Sequence, residues 1–261
     1  MKNGKPWTVM NSYNQINGTF VGESKEYLTD LLRAEWGFDG YVMSEWGAVS
    51  DRVEALKAGM DLEMPSSNGV NDALIVKAVQ DGTLDEAVVD QACERILNII
   101  YRYMESRDAS AVFDREKDHG TAASVEEECI VLLKNDSDGN GKPILPLGRE
   151  QKIAFIGKYA QAPRYQGGGS SHINSWKVES ALEAVKDFAD VVYAKGFDDA
   201  QDQADEALEA EAVQAAEDAD AAVIFAGLPD SFESEGYDRT HLNLPECQNR
   251  LIGKICDVQK N

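Results

Sequence analysis

No stretch of this 261-residue chain approaches the roughly 18 consecutive apolar residues of a membrane-spanning helix. The opening residues, Met1-Lys-Asn-Gly-Lys-Pro6, lack the apolar core of a secretory signal, so the chain as written is expected to be cytoplasmic. Basic side chains are scarce: 25 Lys and Arg stand against 47 Asp and Glu, a formal charge of −22. A surface of that sign repels phosphates, which excludes nucleic acid and anionic membrane as partners and leaves a neutral or cationic ligand. The four cysteines, Cys93, Cys129, Cys247 and Cys256, fit no zinc or Cys-x-x-Cys spacing and are expected to be buried free thiols. His119, His172 and His241 are too scattered for a metal centre, and there is no Gly-x-Ser-x-Gly elbow for a serine hydrolase.

With 43% hydrophobic residues, the chain can bury a substantial core in one large or two ordinary domains. Its segments alternate between strand and helix patterns. Pro6 to Asn14 reads as a strand, with a turn at Gln15-Ile-Asn-Gly18. A helix from Ser24, as N-cap, to about Glu35 is stopped by Gly37. The strand Tyr41-Val-Met43 follows, apolar on both faces as a buried parallel strand would be. It ends on Ser44-Glu45-Trp46, which puts a carboxylate at a strand's C-terminal end, where parallel α/β folds gather their chemistry. A helix from Val49 to Ala58 and a third strand, Met60 to Met64, come next. Helices at Val70 to Asp81 and Leu84 to about Met104 are divided at Gly82-Thr83, with Thr83 as cap and Glu86 completing a capping box.

Residues 105–120 carry dense mixed charge and little periodicity, as a linker does. Thr121 to Glu128 suits a helix and Cys129 to Asn135 a strand. The run Asp136-Ser-Asp-Gly-Asn-Gly141 looks like a calcium loop, but Leu147 occupies the position where the bidentate acid belongs. Lys152 to Gly157, Val191 to Ala194 and Ala221 to Ala226 are strands of buried type. Helices from about Val178 to Phe188 and from Gln203 to Asp218 lie between them, the second with its acids on a solvated face, and a last helix runs from Pro245 to about Val258. This order implies right-handed crossovers and a mostly parallel sheet.

The run Leu31-Leu-Arg-Ala-Glu-Trp-Gly-Phe-Asp-Gly-Tyr-Val-Met-Ser-Glu-Trp-Gly-Ala48 resembles the nucleophile signature of family 3 glycoside hydrolases. The resemblance continues from Asp51 to Pro65 and, at intervals, covers nearly the whole chain from Met10 to Gln259. Few residues depart from the family pattern, and one departure matters: the family has Asp where this chain has Glu45. The side chain is longer by roughly 1.5 Å, enough to misplace a nucleophile unless the backbone retreats.

The resemblance implies the C-terminal portion of a (β/α)8 barrel, three βα units over residues 1–104, then an α/β/α sandwich over 121–261. A whole barrel needs about 250 residues, so its earlier strands would lie upstream. The family's sugar-gripping Lys-His pair would lie there too, and this chain contains none. By resemblance, Met10 and Tyr13 in Met-x-x-Tyr-Asn-x-x-Asn-Gly line the sugar site beside the nucleophile; Trp46, next to Glu45, reads equally as a surface that stacks on a sugar face or as a packed core residue.

By pattern alone, Gly167-Gly-Gly-Ser-Ser171 is a weak phosphate-loop signal, because it lacks the Walker and dinucleotide spacings. The resemblance makes it a loop facing the barrel pocket, with Ser170 or Ser171 reaching the sugar. Phe232-Glu-Ser-Glu-Gly-Tyr-Asp-Arg239 resembles the segment that delivers the general acid/base. That role falls to Glu235, with Glu233 as second choice, and two neighbouring acids are expected to raise each other's pKa.

The function implied is retaining hydrolysis of terminal β-linked glucosyl residues. Glu45 would be the nucleophile, the substrate a β-glucoside or oligosaccharide, and no cofactor would be required. Two rival readings stand beside it. One is a non-catalytic piece that pairs with another chain, a second copy included, to cover an open barrel edge. The other is a flavodoxin-like module that binds a nucleotide or phosphate at the Gly167 loop.

Overall fold

A computed structural model describes residues 1–136, 142–187, 189–200 and 202–261. The chain divides into two compact units, Met1–Val112 and Phe113–Asn261. Both are mixed α/β with parallel strands. Among the described residues, no helix is long and apolar enough to cross a membrane.

In the first unit, β1 (Thr8–Asn11) and β4 (Tyr41–Ser44) pair in parallel, with Met10 opposite Met43 and Asn11 opposite Ser44. Between them, β2 (Gln15–Ile16) and β3 (Thr19–Phe20) form a small antiparallel hairpin. Asn17 and Gly18 turn it with φ of 52° and 85°, the left-handed geometry that suits Asn-Gly. The expected third strand is a single bridging residue: Leu62 pairs with Met43, and its carbonyl accepts from the Ser44 amide at 2.9 Å.

The helix Glu26–Glu35 is wound wider than an α-helix. Its cap differs from expectation, because Ser24 contributes its backbone carbonyl to Leu28 and no side chain caps the end. Helix α1 (Arg52–Ala58) starts three residues later than its apolar pattern suggested, where Asp51 accepts from the amides of Val53 and Glu54. Gly59, at φ 107°, ends it. Leu28, Leu32, Phe38, Val42, Ala55, Ala58 and Met60 pack together beneath the strands. Fully burying Val42 alone contributes about 1.5–3 kcal/mol.

Helices α2 (Val70–Gln80) and α3 (Glu86–Ser106) complete the unit. The α3 cap is Asp85, which accepts from Ala87 N, and not Thr83, whose hydroxyl donates to the Ala78 carbonyl at 3.2 Å.

In the second unit, β5 (Lys152–Ile156) lies between β6 (Asp190–Ala194) and β7 (Ala221–Ile224), all parallel. Helix α4 (Arg115–Cys129) begins inside the stretch expected to be an irregular linker, because Asp114 caps it through the amides of Glu116 and Lys117. Cys129 to Asn135 is not a strand: Ile130 to Leu133 lie exposed with no partner strand among the described residues. The calcium-loop run lies outside the described residues from Ser137 to Gly141.

Helix α5 (Ala181–Val185) carries a true capping box, Ser180 with Glu183. Helix α6 (Glu206–Glu217) and helix α7 (Glu246–Val258) pack beside one another. Not all the acids of α6 face water. Glu209 is buried, paired with Arg250 Nε at 3.0 Å and with Lys254, both from α7. Ala154, Ile156, Ala194, Phe197, Ala212, Ala216, Leu251 and Ile255 make the core on that face. The thiols also differ from expectation: Cys247 is buried, and burial pushes it up to about 12, whereas Cys93, Cys129 and Cys256 are exposed.

Candidate active site

Glu45 leaves β4 at its C-terminal end, as the strand pattern required. Its amide donates to the Asn11 carbonyl at 3.1 Å, so the parallel pairing of β1 and β4 extends one residue to grip it. The residue before it is buried. Ser44 Oγ donates to the Met64 carbonyl at 3.0 Å and accepts from the Met64 amide at 2.7 Å, while Gly47 N reaches the same carbonyl at 3.2 Å. The strand end is thus tied on both sides, to β1 and to the Leu62–Met64 segment.

Beneath it sits a buried carboxylate. Asp61 accepts from the Val42 amide at 2.8 Å, from Arg33 Nη2 at 2.5 Å and from Arg95 Nη1 at 2.8 Å. Burial pulls the Arg33 guanidinium below its ordinary value, and Asp61 opposes that pull. One side chain therefore joins β4, the helix Glu26–Glu35 and α3. Sequence reading missed both Ser44 and Asp61 as supports of Glu45. The signal available was only their polar character within apolar runs.

Tyr13 lies just past the end of β1, at the same C-terminal end of the pair as Glu45 and Trp46. All three expected sugar contacts of this unit are open to solvent: Met10 is 58% exposed, Tyr13 63% and Trp46 68%. Trp46 is therefore not a packed core residue; its face is free for a ligand. A hollow of about 520 Å3 between Lys2, Trp7, Trp36 and Arg102 lies at the N-terminal side of β1 and contains none of the candidate residues.

The second unit brings its own candidates together. The loop after β7, residues 228–239, meets the glycine loop 167–171. Ser170 N donates to Glu235 Oε2 at 2.8 Å, and Gly168 N to Glu233 Oε2 at 3.4 Å. The contact is backbone-close. A Cβ on Gly168 would stand 2.6 Å from Ser234 Cα, and one on Gly169 would stand 2.4 Å from Glu235 Cβ, at a φ of 81° that favours glycine.

Arg164 completes the arrangement. Its Nε donates to Asp230 Oδ1 at 2.9 Å, and its Nη2 to Glu233 Oε2 at 2.6 Å and to the Glu233 carbonyl at 3.1 Å. Ser171 Oγ turns inward to the Gly167 carbonyl at 2.8 Å. Beside the glycine loop, a hollow of about 530 Å3 is lined by Tyr165, Gln166, Ser171, His119 and Glu179.

The electrostatics correct one expectation. Glu233 and Glu235 do not raise each other. The Arg164 hydrogen bond holds Glu233 below the ordinary glutamate range, and the Ser170 backbone donor does the same for Glu235. Donors across the loop outweigh the like charge along it. The same contacts argue against a phosphate cradle, since two loop amides already serve carboxylates, and negative charge stands where a phosphate would sit.

The comparisons with known proteins agree on one lineage. Residues 4–99 match the glycosyl hydrolase family 3 N-terminal domain, and residues 130–261 the glycosyl hydrolase family 3 C-terminal domain. Thermostable β-glucosidase B of Acetivibrio thermocellus is 45% identical over 265 residues, covering 100% of this chain and 34% of that protein. An exo-α-(1→6)-L-arabinopyranosidase of Bifidobacterium longum is 42% identical over 270 residues, covering 100% of this chain and 35% of its own length. A solved structure, the GH3 β-glucosidase of Bifidobacterium adolescentis, superposes with a TM-score of 0.89 at 42% identity, over 100% of this chain and 38% of that one. The chain thus spans about a third of the length of these curated relatives. It belongs to glycosyl hydrolase family 3.

Proposed function

We propose that this chain carries the catalytic carboxylates of a retaining glycoside hydrolase of β-glucosidase type, with Glu45 as nucleophile and Glu235 as acid/base. The observation that supports this best is the setting of Glu235. It is exposed on a loop, held only by neutral donors, and it follows a sheet strand at the C-terminal end. Among the described residues, no cation pairs with it.

In the reaction, Glu45 captures the anomeric carbon while Glu235 protonates the departing oxygen. Water then releases the sugar, with Glu235 as base. The ionised form that Ser170 favours is the one the second step needs. The first step needs a proton, so the Ser170 contact must give way to the glycosidic oxygen. The reaction requires the two carboxyl groups about 5–5.5 Å apart. Met10, Tyr13 and Trp46 offer apolar and aromatic surface to the sugar, and the Ser170 hydroxyl a polar contact. The names of the relatives include a glucosidase and an arabinopyranosidase, so the sugar is taken to be a pyranoside, with β-glucose as the first substrate to test.

The architecture that goes with this reading is the last three βα units of a (β/α)8 barrel followed by an α/β sandwich. A second reading is favoured by the coverage of about a third of its relatives and by the bare faces of Met10 and Tyr13: these units need further barrel strands before they turn over substrate.

A chromogenic β-glucoside assay on the full chain, with Glu45→Asp, Glu45→Gln and Glu235→Gln, separates the two. Turnover reduced at least 100-fold by Glu45→Gln and by Glu235→Gln supports the hydrolase. Turnover that survives Glu235→Gln sinks that assignment. No turnover from the chain or from Glu45→Asp supports the incomplete piece.

A further inference from the structure

We infer that Arg164 is a positioning residue that latches the loop bearing Glu235, and that Glu233 serves as its counter-ion, leaving Glu235 as the one carboxylate of the pair free to exchange a proton with a substrate. The inference rests on the acid/base reading of Glu235 and deepens it.

The geometry carries it. Arg164 comes from the segment after β5, and its guanidinium spans two points of the later loop, Asp230 and both the side chain and the carbonyl of Glu233. Only the fork of a guanidinium reaches three acceptors in this way; an ammonium on a single stem would not. Two residues on, among the described residues, the hydrogen bond that meets the Glu235 carboxylate comes from Ser170. The loop is also pressed against the glycine run, where Gly168 and Gly169 admit no Cβ. Arg164 thus fixes the loop from one side while the glycines let it sit flush on the other. An acid shared with a guanidinium stays ionised and donates nothing, so the two glutamates, alike in sequence, have separate tasks.

Hydrogen–deuterium exchange on the full chain tests the latch without using turnover. Arg164→Met is expected to speed amide exchange at Ser170 and across residues 230–237 at least tenfold, while Lys152–Ile156 and Ala221–Ile224 keep their protection. Arg164→Lys, which keeps the charge without the fork, should fall between. Unchanged exchange at Ser170 in Arg164→Met overturns the inference. If that variant loses protection throughout the sheet, Glu233→Gln decides: faster exchange confined to 230–237 supports the latch, and no change overturns it.

Carboxyl 13C titration adds a readout that mere packing would not move. In Arg164→Met the Glu233 midpoint should rise while that of Glu235 moves less, and a Glu233 midpoint that stays in place refutes the pairing. A Glu235→Gln chain that still hydrolyses glucosides would remove the acid/base assignment and leave the latch standing.

Discussion

The two candidate carboxylates are held by opposite means. Glu45 leaves a strand whose supports are interior: the Asp61 side chain is 1% exposed and the Ser44 hydroxyl is sealed between two segments. Glu235 rides a surface loop whose supports, the pairs of Arg164 with Asp230 and Glu233, stand partly in water. Both arrangements fix the backbone that carries a carboxylate, but they fail under different stresses. Interior supports fail by mutation, because a lost partner leaves a buried group unsatisfied. Surface supports yield to pH and salt.

The largest effect that would break this contrast comes from Asp61→Ala. Removing the carboxylate leaves Arg33 buried without its counter-ion, which costs about 3–5 kcal/mol. Urea unfolding should show that loss in the first unit, with the second unit's transition unmoved. A loss below about 1 kcal/mol would mean that Asp61 is not the support described.

Ser44→Ala should cost less, about 1–3 kcal/mol, since it orphans the Met64 amide without stranding a charge, while Gly47 N still serves the Met64 carbonyl. The same unfolding experiment measures it.

The smallest effect sharpens the other side. Glu233 is held below the ordinary glutamate value, so its contribution is fully present above the unfolded pKa of about 4.3 and is lost as pH falls through the depressed value. NMR signals of Gly168 N–H and Arg164 Nη–H, which donate to Glu233, should stay constant down to about pH 4.3 and shift below it. Raising salt to 1 M, where screening acts within about 3 Å, should move them at neutral pH and leave Arg33 and Arg95 untouched.

Much of this was legible in the residues, and the gaps have physical causes. The apolar runs Ile153–Ile156 of β5 and Ala221–Ile224 of β7 and the stop at Gly37 announced themselves, because buried parallel strands and left-handed positions leave narrow choices. Cys129 to Asn135 misled for the converse reason. Its β-branched, apolar composition favours a strand only where a neighbour pairs with it, and among the described residues none does. Thr83 and Asp85 both fitted a cap, and the choice fell to Asp85 once the Thr83 hydroxyl found Ala78.

The candidate site was half legible. Glu45 and Glu235 stand in recognisable runs, whereas Arg164 lies 66 and 69 residues from its partners and gives no local pattern. The proximity of Glu233 to Glu235 suggested repulsion. The donors that prevail, Arg164 and Ser170, come from a loop some 65 residues earlier.

The bare ribbon Ile130 to Leu133 has a colloidal consequence. Four adjacent apolar residues, 63–91% exposed and with no partner strand among the described residues, are a template onto which another molecule's backbone can add. What keeps copies apart is the charge of −22, whose reach shrinks from roughly 10 Å in dilute buffer to about 3 Å in molar salt. This protein should therefore stay dispersed in dilute buffer and cloud on salting, the reverse of a chain whose solubility rests on a covered surface.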